Sequence, residues 1–393
     1  MSVLFTPGFR AAGVAAGIKK NGKPDLGLIV SDRPATAAGM FTRNRVKAAP
    51  VLVDMERIGS GVAQAVLVNS GCANCCTGET GKEHALTSIR SVSEILGIPE
   101  DRVLVASTGV IGQPLPIDKL LAAIPELVGS LSADGFPKLA EAMMTTDTVP
   151  KCVARSEVFS GHPVFLTGVA KGAGMIRPDM ATLLCFLATD ASVDPARLHR
   201  VLKRATDASF NRITIDGDTS TNDTAILLAN GASGVVIDDE TEPRFQDLVT
   251  GVMVDLAKML VRDGEGATKL VEIQVCGAAT ASDARTVADT IANSALVKTA
   301  IFGEDANWGR ILAAAGRSGV GFDPDRIEIR FDHVTIYSQG RGAGADVEEQ
   351  VTAVLKQPEF CIHVDLHEGT ASSSVWTCDF SVDYVRINAD YRS

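Results

Sequence analysis

Eight short apolar runs limit what this chain can become. They read A-V-L-V (65–68), R-V-L-V-A (102–106), V-F-L-T (164–167), T-L-L-C-F-L (182–187), V-E-I-Q-V (271–275), R-I-E-I-R-F (326–331), C-I-H-V-D-L (361–366) and S-V-W-T-C-D-F (374–380). Most are rich in branched or alternating apolar residues, which predicts strands. Helical patterns lie between them. The clearest places Phe245, Leu248, Val249, Val252, Met253, Leu256 and Met259 on one stripe and stops near Asp263-Gly264, so the stripe reads as core. A second helix is expected to start at Asp194-Pro195, where the carboxylate can cap free amides and proline fits the first turn. Strands and helices mixed without a regular βαβ alternation predict an α/β fold of stacked layers, an α+β sandwich rather than a doubly wound nucleotide fold. At 393 residues, two structural halves or one large two-layer domain are both open.

Charge and cysteine usage exclude several classes of function. Lys and Arg total 37 against 48 Asp and Glu, a net charge of -11, and no basic run could follow a phosphate backbone, so nucleic acid is not an expected partner. The first positive charges lie within and after the N-terminal apolar stretch, the wrong order for an export signal. No window holds the roughly 18 to 20 apolar residues of a membrane span. A cytoplasmic enzyme without membrane contact is the expectation. Eight cysteines are too few for a disulfide framework in a chain this long, so reduced thiols are expected. Cys72 and Cys75 have C-x2-C spacing, with Cys76 adjacent, but no second pair completes a four-ligand zinc site. The three read as small packing residues of a glycine-rich turn, and neither a metal nor a tightly bound cofactor is expected.

Three clusters carry residue types capable of chemistry. D-G-D-T-S-T-N-D-T (216–224) resembles a phosphatase or calcium loop, but a calcium loop starting at Asp216 would need Gly and Glu where Thr221 and Leu227 stand. Short polar side chains bonding a buried turn are the better reading. In H-V-D-L-H, a strand would put His363, Asp365 and His367 on one face with the histidines about 13 Å apart, too far for one zinc ion. Thr182 is the third. A threonine hydroxyl is a weak nucleophile unless a base stands beside it, and its own free α-amine can be that base, with a reference pKa of about 7.7 to 8.0. Cleavage between Ala181 and Thr182 would create that amine. A strand-opening threonine with no chemical role is the plain alternative.

The motifs S-T-G-V-I-G (107–112), M-T-T-D-T (144–148), K-G-A-G-M-I-R-P-D-M-A-T (171–182), D-G-E-G-A-T-K (263–269), N-W-G-R (307–310) and Y-V-R-I-N-A-D-Y-R-S (384–393), with the 216–224 segment, span essentially the whole chain. Together they resemble the ornithine acetyltransferase, or glutamate N-acetyltransferase, family, whose members cut themselves before a threonine. The resemblance implies a fold like that of the N-terminal-nucleophile hydrolases and a chain divided into residues 1–181 and 182–393. It implies Thr182 as the agent of cleavage and the later nucleophile, and Thr108 and Gly109 as an oxyanion hole. It further implies Thr145, Lys171, Thr182, Glu265, Asn388 and Ser393 as holders of the amino-acid substrate. By charge, Lys171 and Asn388 suit a carboxylate and Glu265 an ammonium group.

The implied reaction moves acetyl from N2-acetylornithine to glutamate through an ester on Thr182, with acetyl-CoA as an open second donor. A heterotetramer of two copies of each fragment is the implied assembly. Ser393 stands where the family commonly ends in threonine and keeps the hydroxyl, while Cys72 and Cys75 replace small or polar residues. Two other functions share the features: a self-processing aminopeptidase or amidase that passes the acyl group to water, and a non-catalytic binding protein with an intact Ala181-Thr182 bond.

Overall fold

The computed structural model describes residues 6–177 and 183–390. They form two compact units. The first comprises residues up to Asn211 together with Asp218–Leu260, and the second comprises Arg212–Gly217 and the residues from Val261 onward.

The first unit is built on an eight-stranded sheet. Its strands are β1 (Phe9–Val14), β2 (Leu26–Phe41), β3 (Val62–Asn69), β4 (Val103–Ser107), β5 (Lys151–Phe159), β6 (His162–Lys171), β7 (Leu184–Thr189) and, after the two-residue β8 (Ile213–Thr214) of the second unit, β9 (Thr224–Ala229). The order is β4-β3-β2-β9-β7-β6-β5, with β1 paired to β2, and parallel pairs (β3 with β4, β7 with β9) mix with antiparallel ones. Alternate residues explain the layering. Val66, Val68, Leu104 and Ala106 join one core with Phe136, Leu139 and Met143 of the helix Phe136–Met143. Ala65, Leu67, Val103 and Val105 join another with Ala85, Ile89 and Val92 of the helix Gly78–Leu96 and Leu120, Ile124 and Leu127 of the helix Ile117–Gly129. Strands covered on both faces read as nearly continuous apolar runs, which is why these were visible in the sequence.

The second unit holds a seven-stranded sheet. Its strands are β8, β10 (Leu270–Ala278), β11 (Glu328–Phe331), β12 (Val334–Ser338), β13 (Arg341–Gly342), β14 (Glu359–Asp365) and β15 (Ala371–Cys378), in the order β13-β12-β11-β14-β10-β15-β8. Val271, Ile273 and Val275 of β10 and Ile362 and Val364 of β14 pack with Val287 and Ile291 of the helix Ala281–Ala292. The layered α/β reading is correct, and of the two size options the chain takes two units.

All eight predicted runs contribute to strands. The run from Thr182 enters β7 at Leu184, and Thr182 itself lies outside the described residues. The periodic stripe is the helix Glu242–Arg262, with Phe245, Leu248, Val249, Val252, Met253 and Leu256 buried and Met259 half-buried. Asp194 caps the helix Pro195–Ala208 by accepting the Arg197 amide at 2.9 Å. The one-face reading of 363–367 does not hold. β14 ends at Asp365, and His367 has a left-handed φ of 53°, so the chain has already turned.

Candidate active site

Strand ends gather the polar residues of the first unit. Register sets Lys171, the last residue of β6, opposite Leu184 at the start of β7; Leu184 lies opposite Thr224, and Thr224 opposite Phe41 at the end of β2. Asn222, just before β9, ties this rim to the turn after β4, its amide donating to the Ser107 carbonyl at 2.8 Å and the Ala73 carbonyl at 2.7 Å. The buried polar turn expected at 216–224 is thus present over Thr221, Asn222 and Asp223, all buried. Asp216 and Asp218, the supposed phosphatase pair, fall in different units.

Thr108 and Gly109 occupy the turn after β4. The Thr108 amide donates to the Asn69 carbonyl at 3.0 Å, and Thr108 and Val110 both bridge to Cys72. Gly109 has φ of 130°, and a Cβ there would lie 2.4 Å from the Gly71 carbonyl carbon and 2.6 Å from the Cys72 nitrogen. Both objections are to backbone, so only glycine fits. Cys72 and Cys75 are buried and Cys76 is exposed, and the Cys72 thiol meets the Gln113 carbonyl at 3.4 Å, as packing residues of this turn. Among the described residues no three His, Cys, Asp or Glu side chains come together as a metal site.

Lys171 Nζ donates to Thr108 Oγ1 at 3.2 Å. A hydroxyl that accepts from an ammonium keeps its own hydrogen to donate, and does so more strongly. Behind this pair lies Asp147, a residue the sequence reading passed over. It is buried, accepts Lys151 Nζ at 2.8 Å and the Gly172 amide at 2.7 Å on one oxygen, and accepts the Thr145 amide at 2.9 Å on the other. Burial alone would raise its pKa, but the charges of Lys171 and Lys151 outweigh that and hold the carboxyl well below the usual range. Asp147 therefore fixes both Thr145 and the residue after Lys171. Its place in M-T-T-D-T, four residues before Lys151, was the available signal.

Lys19 was also missed. Asp25, fully buried, accepts the amides of Ala16 at 2.6 Å and Lys19 at 2.7 Å, which holds this loop in place. Burial pulls the Lys19 ammonium down to about 8 against the opposing charges of Asp25 and Asp147, and Lys19 Nζ donates to the Pro24 carbonyl at 2.7 Å.

In the second unit, Glu265 is buried and accepts Asn388 Nδ2 at 2.7 Å, and the same amide reaches the Tyr384 carbonyl at 3.0 Å. Gly266 has φ of 67°, and a Cβ there would meet the Tyr384 nitrogen at 2.6 Å, so the D-G-E-G-A-T-K turn sits directly against the helix Val382–Asp390. The structure thus brings Thr108, Gly109, Thr145 and Lys171 into one unit and Glu265 and Asn388 into the other. Ala181, Thr182 and Ser393 lie outside the described residues.

The model of the ArgJ family matches residues 10–393. The arginine biosynthesis bifunctional protein ArgJ of Geobacter sulfurreducens is 53% identical over 98% of this chain and 99% of its own length. The protein of the same name from Syntrophotalea carbinolica is also 53% identical over the same shares. Among solved structures, the Bacillus halodurans protein of that name matches with a TM-score of 0.51 and 43% identity, over 52% of this chain and 98% of its own.

Proposed function

The chain belongs to the ArgJ family and is an enzyme, and from that premise we propose that it transfers acetyl from N2-acetylornithine to glutamate through Thr182. The observation that carries this reading is the Lys171 to Thr108 hydrogen bond on a turn that only Gly109 can make. A polarised hydroxyl and a neighbouring backbone amide are the donors that a carbonyl oxygen needs as it becomes negative, each worth about 3 to 4 kcal/mol in such a site.

In this mechanism the chain first divides between Ala181 and Thr182, leaving residues 182–393 with a threonine at their start. The Bacillus halodurans chain fits that division, since about half of this chain spans nearly all of it. The new α-amine accepts the Thr182 hydroxyl proton as oxygen attacks the acetyl carbonyl, and returns it to the departing nitrogen of ornithine. The amine of glutamate then attacks the ester and leaves as N-acetylglutamate. Thr145, Lys171 and Glu265 are substrate-holding residues in this reading, Lys171 suited by charge to a carboxylate and Glu265 to an ammonium group. The Asn388 amide is directed at Glu265 and Tyr384, so its part is to orient Glu265. Ser393 supplies a hydroxyl, and two copies of each fragment form the working assembly. Acetyl-CoA as an alternative donor suits the bifunctional naming of the relatives.

Purified enzyme should show two masses that meet at Ala181-Thr182. It should form N-acetylglutamate from acetylornithine and, in a separate arm, from acetyl-CoA. Thr182→Ala should remain whole and lose transfer with either donor. Normal turnover by that variant, or release of acetate with no transfer to glutamate, would reject the assignment.

A further inference from the structure

Lys19 carries a charge that the first unit does not pair. It is half-buried in the loop between β1 and β2, and its Nζ donates to the Pro24 carbonyl at 2.7 Å, which occupies one of three ammonium hydrogens. Asp25, the acid of the same loop, directs its two carboxylate oxygens at the backbone amides of Ala16 and Lys19. Among the described residues no carboxylate forms an ion pair with the ammonium. A charge withdrawn from water is ordinarily paired, so an unpaired one in a partly open position is ready for an anion from outside the chain.

The stem of the side chain fixes where this charge belongs. A Cβ on Gly71 would lie 3.2 Å from Lys19 Cγ, and a Cβ on Gly109 would lie 2.4 Å from the Gly71 carbonyl carbon. One residue therefore separates Lys19 from the turn that carries Thr108 and Gly109. The loop is fastened at the same place, since the Asp25 carbonyl accepts the amide of Ser70, next to Gly71, at 2.9 Å. Lys171 reaches the turn from β6 through Thr108 Oγ1. Two lysines thus adjoin one turn, and their charges act on each other: Lys171 and Lys23 add to the effect of burial in lowering Lys19, while Asp25 and Asp147 oppose it.

Two ammonium groups match one of the two substrates better than the other. In the transfer reaction proposed above, the donor has a single carboxylate and a cationic side chain, whereas the acceptor has two carboxylates. Lys171 is assigned to one carboxylate of either molecule. We propose that Lys19 binds the side-chain carboxylate of the glutamate acceptor and so determines acceptor specificity. Its charge attracts that group and repels the ammonium of ornithine, which favours departure of ornithine before glutamate enters. No bond forms or breaks at Lys19.

This inference rests on the transfer reading, and its test separates the two. Lys19→Met keeps an unbranched apolar stem against Gly71 and removes the charge. Initial rates of N-acetylglutamate formation from acetylornithine and glutamate are measured for wild type and Lys19→Met. The variant should raise the KM for glutamate about 10- to 100-fold, the effect of losing a charge-assisted contact, and leave the KM for acetylornithine the same or lower. A structural defect would raise both. A glutamate KM within about twofold of wild type, or an equal rise for both substrates, overturns the proposal. A wild-type enzyme that makes no N-acetylglutamate from these substrates overturns the transfer reading instead.

If Lys19→Met fails to fold, labelling of the wild-type enzyme decides. Lysines are methylated with formaldehyde and a borane, and the peptide containing Lys19 is followed by mass spectrometry with saturating N-acetylglutamate, with N-acetylglutamine, or with neither. N-acetylglutamate should slow labelling of Lys19, and N-acetylglutamine, whose side chain is neutral, should slow it much less. Labelling at one rate in all three, or equal protection by both compounds, overturns the proposal.

Discussion

Two carboxylates in the first unit show how neighbours decide what a residue does. Asp147 and Asp223 are both buried and both feel Lys171. Asp147 also has Lys151 within 2.8 Å and two backbone amides, so it stays ionised and organises Thr145 and Gly172. Asp223 has an oxygen with no partner among the described residues, and its burial favours the neutral acid. Removing Asp147 leaves a fully buried ammonium on Lys151, so Asp147→Ala should destabilise the fold by about 3–5 kcal/mol in urea unfolding at pH 7. The pH dependence follows from the depressed pKa. Its stabilisation is fully present above the unfolded-state value of about 3.9 and is lost as pH falls below that toward the lower folded value. The gap between wild type and Asp147→Ala should therefore narrow from pH 5 to pH 2; a constant gap would show that the ion pair is not its source.

At the scale of elements, strand ends and helix starts position the chemistry. β6, β7, β9 and β2 bring Lys171, Leu184, Thr224 and Phe41 into one row by register alone. A slip of β6 by one residue against β7 would turn Lys171 to the opposite face. The helix Pro195–Ala208 packs Leu198, Val201, Leu202 and Ala205 inward, and its start is set by Asp194 and by proline in the first turn. Asp194→Ala removes both the acceptor of the Arg197 amide and the 3.4 Å ion pair to the same arginine. It should lower stability by about 1 kcal/mol, read as a shift in urea midpoint with unchanged slope. Because Asp194 bonds only the start of its own helix and carries none of the roles assigned to the site, acetyl transfer per folded molecule should not change. A loss of turnover at full folding would place this helix within the machinery.

For the whole molecule, the threonine ester makes a kinetic demand. Ornithine must leave before glutamate is acetylated, so initial rates should give the parallel lines of a ping-pong reaction. Acetylornithine alone should release a burst of ornithine and leave an acetyl increment on the fragment beginning at Thr182, which glutamate removes. Intersecting lines with no trapped acetyl-enzyme by rapid quench would reject transfer through Thr182. The sequence by itself determined the layered α/β class, all eight of the strand runs it singled out, the long helix and the Asp194 cap. These are local matters, in which spacing of apolar residues and the chemistry of a first turn decide the outcome. Ordered motifs over the whole chain also made the family legible. Only the tertiary structure decided which motif residues meet: that Gly109 packs on Gly71 and Cys72, that Lys171 reaches Thr108, and that lysine charges hold the Asp147 carboxyl down while burial pushes the Asp223 carboxyl up. It likewise placed Asp216 and Asp218, two residues apart, in different units. Burial and charge at a site are sums over residues far apart in the chain, and no local pattern of residue types contains those sums.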